Sequence, residues 1–183
     1  MTEAIVFVII TLALAFVSRA SLLKPRSHGF YRFIAWEFMA LMFVMNWSVR
    51  SQWDISSPHW TIAHGLFLIS LFLVFSGFGP LLRSGQPDPK RVDAPMMGFE
   101  KTTVLVTHGL YRYIRHPIYA SLIFLCWGFF FEQPSLASGI CGIIATLFLI
   151  ATARVEEREN INYFGDSYRD YMKRSKMFIP FIL

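Results

Sequence analysis

Charged residues are scarce in this sequence. Asp, Glu, Lys and Arg make up 16% of its 183 residues, whereas 55% are apolar and the mean hydropathy is +0.46. There are only two cysteines, Cys126 and Cys141, and each lies inside a separate apolar block, which disfavours a disulfide and predicts two small buried side chains. Glycine-rich phosphate loops and nucleophile elbows are also lacking. No cluster of His, Cys, Asp or Glu has the spacing of metal ligands, so we expect no metal.

Long apolar blocks dominate what is present. A membrane-crossing helix needs about 20 apolar residues, which three of the blocks supply directly and two approach. The sequence therefore predicts an all-α polytopic membrane bundle of about five transmembrane helices, followed by an amphipathic cytoplasmic helix. In a single membrane domain, residues 1–82 hold three spans, 83–105 form a cytoplasmic loop, and 106–183 form a cofactor-binding hairpin and C-terminal helix. The blocks are residues 4–17, 33–49, 60–82, 118–131 and 136–153.

Basic residues fall on one side of this arrangement. Of the 17 lysines and arginines, 16 lie in residues 18–32, 83–117 and the tail after 153, and only Arg50 lies opposite. The positive-inside rule then puts the N-terminus outside and these three segments on the cytoplasmic face, most simply of an inner membrane. This clustering between apolar blocks explains the net charge of +5 without nucleic acid as a partner. The isolated histidines, including His28, are expected to be interfacial or hydrogen-bonded rather than ligands.

The polar chemistry concentrates in residues 109–121, GLYRYIRHPIYAS. Pro117 is a natural first residue for the helix that follows, because its fixed φ suits the first turn. Free backbone N–H groups and the positive end of the helix dipole then surround Arg115 and His116, where an anion can bind. The alternative is that these basic and aromatic residues only anchor the helix at the membrane interface.

Two acidic residues follow the last span. Glu156 and Glu157 lie near the end of an apolar helix, where carboxylates are unfavourable unless the helix continues or a cation is near. Beyond them, Gly165 is predicted to stop the helix and Asp166 to cap the next one. In the loop before the motif, residues 96–99 (MMGF) are an apolar island, which either docks at the lipid head groups or forms a flap over a site.

These motifs together resemble the C-terminal signature of a known family. Arg115-His116-Pro117-x-Tyr119 before a hydrophobic hairpin, Glu156-Glu157 after it, and then FGxxYxxY from residue 164 are similar to the isoprenylcysteine carboxyl methyltransferases and the related phospholipid methyltransferases. The resemblance covers residues 106–180. Two positions depart from it: Ser121 replaces the usual glycine, and residues 175–177 (SKM) replace Val-Pro-Arg, so that Arg174 or Lys176 must substitute for that arginine.

The resemblance implies an integral membrane enzyme that uses S-adenosylmethionine. Its cofactor pocket would lie at the cytoplasmic surface, closed by the terminal helix, with a lipophilic or membrane-embedded methyl acceptor entering from the bilayer. His116 and Glu156 are the candidate proton acceptors. The cofactor-binding residues carried over are Gly109, Arg115, His116, Pro117, Tyr119, Glu156 and Glu157.

The acceptor atom stays open at this stage. A prenylated cysteine carboxylate, a lipid amine and a small thiol all suit methyl transfer. Two alternatives to a methyltransferase also stay open: an NADPH-dependent membrane reductase related to the sterol reductases, whose C-terminal region carries a related Arg-His-Pro, and a non-enzymatic membrane scaffold.

Overall fold

The computed structural model describes residues 1–48, 57–91 and 95–180. Within them the chain is helical, without strands beyond isolated backbone bridges, which confirms the predicted fold class. Arg50, whose charge the orientation argument used, lies outside the described residues. The helices are α1 (Thr2–Leu22), α2 (His28–Ser48), α3 (Pro58–Ser84), α4 (Pro117–Glu132), α5 (Leu136–Phe164) and α6 (Asp166–Arg174).

Three of these helices are long and apolar enough to cross a membrane, namely α1, α3 and α5. The apolar helix α4 is shorter, with 16 residues, and begins at Pro117 as predicted. Helix α2 has 21 residues, but its apolar surface is interrupted by Arg32, Glu37 and Asn46. All five predicted apolar blocks are therefore helical in the described part of the chain. The three blocks expected to cross directly were 33–49, 60–82 and 136–153, but the helices with the length and hydropathy of a span are α1, α3 and α5, so α1 takes the place of α2.

The helices pack in pairs around a core that lies mainly between α2, α4 and α5. α3 packs along α4, α2 along α5, and α1 lies outermost against α2. Cys126 and Cys141 are buried free thiols in the half of the core that contains Met42, as their apolar surroundings predicted. Large apolar side chains of α1 and α3 point outward, which suits contact with lipid.

Two glycines allow α3 and α4 to approach closely. A Cβ at Gly77 would lie 3.1 Å from Cγ of Pro117, and a Cβ at Gly128 would lie 2.3 Å from Cε1 of Phe67. The first contact fixes the beginning of α4 against α3. The second leaves room for the Phe67 ring beside the backbone of α4.

Capping residues define both ends of α5 and the beginning of α6. Ser135 caps α5, since its hydroxyl accepts a hydrogen bond from Ser138 N. α5 then runs beyond its apolar part to Phe164 and stops at Gly165, whose φ of 62° is in the left-handed region. Asp166 was expected to cap α6, but Gly165 occupies the cap position and Asp166 is the first helical residue. There its carboxylate faces the positive end of the α6 dipole.

Gly128→Ala is expected to destabilise the bundle, because the new methyl group overlaps the Phe67 ring and overpacking of this kind costs about 1–3 kcal/mol. Gly65→Ala in α3 is the matched control, since a Cβ there meets no atom within 4 Å. Thermal unfolding in detergent should show a lower midpoint for Gly128→Ala alone. Equal midpoints for the two variants would contradict the close approach.

Candidate active site

A cavity opens at the end of the bundle where α4 begins. Its walls come from the first turn of α4, the last turns of α5, one face of α6 and the loop before α4. The polar side of the cavity is formed by Glu100, Thr102, Arg115, His116, Tyr119, Glu156 and Asn160. The apolar and aromatic side is formed by Phe99, Tyr111, Pro117, Ile118, Phe164, Tyr168 and Tyr171, among others.

Most of the residues predicted from the sequence meet here. Arg115, His116, Pro117, Tyr119 and Glu156 all line the cavity. Two others do not line it. Glu157 is buried behind Arg115, and Gly109 lies two residues before the lining residue Tyr111 in the sequence. With its φ of 61°, Gly109 starts the 3-10 turn Gly109–Arg112, and that turn delivers Tyr111 to the cavity.

Tyr119 and His116 hold Glu156 at the cavity surface. The hydroxyl of Tyr119 donates to Oε2 of Glu156 at 2.5 Å, and Nδ1 of His116 lies 4.0 Å from Oε1 of Glu156. The rings of His116 and Tyr119 stack at 5.5 Å between centroids, which fixes both donors on one side of the carboxylate. Within the described ranges, Glu156 forms no ion pair with an arginine or lysine. Glu156 is therefore a carboxylate that lines the cavity without a direct ion pair to an arginine or lysine of the described residues.

Glu157, by contrast, is paired with Arg115. Its Oε1 accepts a hydrogen bond from Nε of Arg115 at 2.6 Å and lies 3.3 Å from Nε2 of His116. Both partners are buried, so this is a desolvated and charge-assisted contact. Adjacent acidic residues thus have different surroundings, because successive residues of a helix point about 100° apart.

Arg115 also holds the C-terminal segment. Its Nη1 donates to the carbonyl oxygens of Met172, at 3.4 Å, and Ser175, at 2.5 Å. The backbone continues this connection: Arg115 N donates to Lys176 O at 2.8 Å, and His116 N donates to Met177 O at 3.1 Å. Residues 175–178 therefore lie alongside 113–116, and the buried Phe178 reaches the His116 ring.

Aromatic side chains of α5 and α6 form the opposite wall. The rings of Tyr168 and Tyr171 meet edge to face at 5.7 Å, and that of Phe164 is parallel to Tyr168. The hydroxyl of Tyr171 donates to Tyr111 O at 2.7 Å. Burial raises the pKa of both tyrosines on α6, so this wall is neutral. The candidates for the missing family arginine, Arg174 and Lys176, are exposed and do not line the cavity.

The loop before α4 covers the cavity. From the apolar island at 96–99, Phe99 lines the cavity, and its ring lies 4.8 Å from that of Phe78. The buried Arg91 joins this cover to α5, because it donates to Thr102 O and to Oδ1 of Asn160. The flap interpretation of the island thus agrees with the position of Phe99.

Sequence reasoning missed a buried charge network behind this cover. Arg32 of α2 forms an ion pair with Glu100, and His28 bridges Glu100, at 3.3 Å, and Glu159 of α5, at 2.5 Å. His28 is thus hydrogen-bonded, as expected, but its partners were not foreseen. Charged residues flanking apolar blocks were the available signal, yet the sequence could not pair residues about 70 to 130 positions apart.

The network sets the charge of Glu100. Burial alone would raise the pKa of the Glu100 carboxyl, but the Arg32 charge and the His28 hydrogen bond lower it to about 2. Glu100 also accepts a hydrogen bond from Met97 N at 2.8 Å, which closes the turn that carries Phe99. An ionised Glu100 therefore fixes the cover to α2.

Comparisons with known proteins agree with the motifs. A family model described as phospholipid methyltransferase matches residues 59–167. The protein-S-isoprenylcysteine O-methyltransferase of Mus musculus is 30% identical over 142 residues, which cover 70% of this chain and 44% of that protein. The methanethiol S-methyltransferase of Pseudomonas deceptionensis is 26% identical over 141 residues, 73% of this chain and 49% of that protein.

A further relative is methanethiol S-methyltransferase 1 of Bradyrhizobium diazoefficiens, 36% identical over 73 residues, which cover 39% of this chain and 24% of that protein. The chain spans half or less of the length of these three relatives. No solved structure matches the chain significantly.

Arg115→Ala should release the C-terminal segment, because it leaves Glu157 buried without its cation, at a cost of about 3–5 kcal/mol. Limited trypsin digestion in detergent, followed by mass spectrometry, is expected to show faster cleavage after Arg174 and Lys176. Arg112→Ala, which removes an exposed arginine from the same motif, should be cleaved at these two sites at the wild-type rate. If both variants are cleaved equally, Arg115 does not hold the segment.

The stability that Glu100 contributes should depend on pH. Because its folded pKa is lowered from the ordinary value of 4.5 to about 2, the contribution is present above pH 4.5 and disappears as the pH falls toward 2. Glu100→Gln should therefore lower the melting midpoint at neutral pH and reduce its loss in acid. Glu3→Gln, at the exposed start of α1, should keep the wild-type profile.

Proposed function

Because the chain belongs to the phospholipid methyltransferase family, we propose that it is an integral membrane enzyme that transfers a methyl group from S-adenosylmethionine to a lipophilic acceptor. Glu156 carries this proposal. A carboxylate that lines a largely aromatic cavity, and that pairs with no arginine or lysine among the described residues, favours a cationic ligand. The sulfonium and ammonium groups of this methyl donor are such cations.

The remaining walls suit the other parts of the donor. Arg115 keeps Nη2 without a hydrogen-bond partner in the described part of the chain, and it lies beside the N-terminus of α4. Both features favour a carboxylate ligand. The rings of Tyr168 and Phe164 offer faces for an adenine.

The chain's own groups would position the reactants and accept a proton from the acceptor. When bound, the donor supplies an activated methyl group on a sulfonium. Phe99 and the aromatic wall exclude water, which strengthens the electrostatic contacts inside the cavity. Tyr119 and His116 orient Glu156, and Glu156 or His116 can accept the proton that a thiol or amine acceptor loses. A carboxylate acceptor would need only alignment.

Three acceptors remain candidates: a prenylated cysteine carboxylate, a lipid amine and a small thiol. The relatives support the first and the last, since their names refer to isoprenylcysteine and to methanethiol. The outward apolar surfaces of α1 and α3 support entry of a lipophilic acceptor from the bilayer. The distribution of basic residues supports a cavity on the cytoplasmic face with the N-terminus outside.

Calorimetry on the full chain in detergent tests the cofactor. Titration with S-adenosylmethionine should give saturable binding, and its demethylated product should bind more weakly, because it lacks the positive charge that Glu156 attracts. Titration with NADPH should give no binding. NADPH binding alone would identify a reductase instead, and binding of none of the three would favour a scaffold.

Single substitutions test the site. His116→Ala and Glu156→Gln should each weaken S-adenosylmethionine binding at least about tenfold, the scale of one lost charge-assisted hydrogen bond. Glu157→Ala should weaken it to a similar extent because Arg115 loses the carboxylate that positions it. Glu156→Gln is the sharpest of the three, because it keeps the size of the side chain and removes only the charge. Asp170→Asn, on the exposed side of α6, should bind normally. Unchanged affinity in all three site variants would mean that the cavity is not the cofactor site.

A further inference from the structure

Three residues of α5 that line the active-site cavity lie on one face of the helix. Glu156, Asn160 and Phe164 are four residues apart, and each of them lines the cavity. Because residues four apart in an α-helix lie above one another, with a rise of 1.5 Å per residue, neighbours in this row are about 6 Å apart along the axis. A carboxylate, an amide and an aromatic ring therefore follow each other along the same wall.

The amide of Asn160 lies between two partners of opposite kind. Its Oδ1 accepts a hydrogen bond from Nη2 of Arg91 at 3.4 Å. Burial raises the pKa of Tyr168, and a hydrogen bond from the Asn160 side chain partly offsets this rise, which places the amide beside the aromatic wall. An amide oxygen has a second lone pair and an amide nitrogen has a second proton, so an acceptor and a donor remain for a ligand beyond these two contacts.

Arg91 is itself held by several contacts, although it does not line the cavity. The residue is 5% exposed, and its Nη1 donates to Thr102 O at 2.5 Å. Its Cζ lies 3.8 Å from the centroid of the Tyr163 ring and 5.3 Å from that of Phe164, within the range of cation–π attraction. These contacts fix the direction of the hydrogen bond that Arg91 donates to Asn160.

The donors of Arg91 determine which way the Asn160 amide faces. An amide side chain can otherwise turn by 180° and exchange its oxygen and its nitrogen. At Asn160 this exchange would place the amide NH2 group against the guanidinium, so that two donors would face each other without an acceptor. Asn160 therefore presents its donor and its acceptor to the cavity in one fixed order.

Adenine has an edge that matches such an amide. Its N6 amino group donates and the neighbouring N7 accepts, which is the pattern that asparagine binds in the major groove of DNA. Hypoxanthine has a carbonyl oxygen in place of the amino group, and that oxygen would face the amide oxygen. A fixed amide thus favours adenine, whereas an amide that can turn tolerates hypoxanthine by donating to its carbonyl oxygen.

We infer that Asn160 selects the base of the methyl donor by binding the N6 and N7 edge of adenine, and that Arg91 is the positioning residue that fixes the amide for this contact. The inference rests on the proposed function, since it needs S-adenosylmethionine in the cavity. Phe164 lies one turn further along the same face of α5 and offers its ring to the same base. Asn160 would then contact the edge of the base while Phe164 packs on its face.

Calorimetry on the full chain in detergent compares S-adenosylmethionine with S-inosylmethionine, which carries hypoxanthine in place of adenine and is otherwise identical. The wild-type protein should bind S-adenosylmethionine at least about tenfold more tightly, the scale of one base-edge contact. Equal or higher affinity for S-inosylmethionine would overturn this inference and leave the proposed function intact. Absence of binding by both would contradict the proposed function itself, and the inference with it.

Asn160→Leu should reduce this preference to less than about threefold, because leucine has a similar size but no group that binds a base edge. Asn162→Leu changes an exposed asparagine two residues further along α5 and should keep the wild-type preference. An unchanged preference in Asn160→Leu would overturn the assignment, even if both affinities fall. Such a uniform loss would point to a contact with the ribose or to a looser cavity, since neither depends on the base.

Arg91→Met tests the positioning role, because methionine keeps an apolar stem and removes every donor. The amide can then turn, so the preference for adenine should again fall below about threefold. Arg83→Met, at an exposed position of α3, is the matched control. A purely structural role of Arg91 would weaken both donors by the same factor, and that result would contradict the inference. The wild-type comparison and Asn160→Leu decide the matter if Arg91→Met fails to fold.

Discussion

The buried contact between Arg115 and Glu157 connects the three segments that surround the candidate active site. One guanidinium joins the beginning of α4, the end of α5 and the chain after α6. Because the ion pair is desolvated, removal of either partner leaves a charge in an apolar environment, which is far more costly than loss of a surface pair. The position of His116, whose backbone pairs with residue 177, follows from this contact.

The polar residues at the end of α5 each contact a different partner. Glu157 faces Arg115, Glu159 faces His28, and Asn160 receives Arg91. Among the described residues, the Tyr119 hydroxyl hydrogen-bonds Glu156, the His116 ring lies 4.0 Å from it, and the charges of Arg32 and His28 act on it from a greater distance. The ion pairs of Glu157 and Glu159 therefore hold α5 on either side of Glu156, which lines the cavity without a direct ion pair to arginine or lysine among the described residues. This contrast, rather than the presence of an acidic pair, distinguishes the site from a structural salt-bridge cluster.

Local features of the chain were predictable from sequence. Pro117 begins α4, Gly165 ends α5, and the apolar blocks are helices, because each depends on a residue's own backbone preference or on a hydrophobic run. The grouping of Arg115, His116, Tyr119 and Glu156 was predicted through family resemblance. Pairings over long sequence distances were not predicted. Glu157 was expected in the cavity wall, whereas Arg115 holds it behind the wall. The ion pair between Arg32 and Glu100 corresponds to no periodic pattern in the sequence. Such pairs follow from how helices pack, which sequence spacing does not encode.

The pairing of residues 175–178 with 113–116 also bears on how the molecule is made. The segment that pairs with the Arg-His-Pro turn is separated from it by all of α4, α5 and α6. During synthesis the Arg-His-Pro turn therefore enters the membrane surface before the backbone acceptors for Arg115 and His116 exist. The helices can form one after another, but the contacts that hold Arg115 and His116 form only after the last helix has left the ribosome. Formation of the helices and completion of the candidate site are thus separate events in the life of this chain.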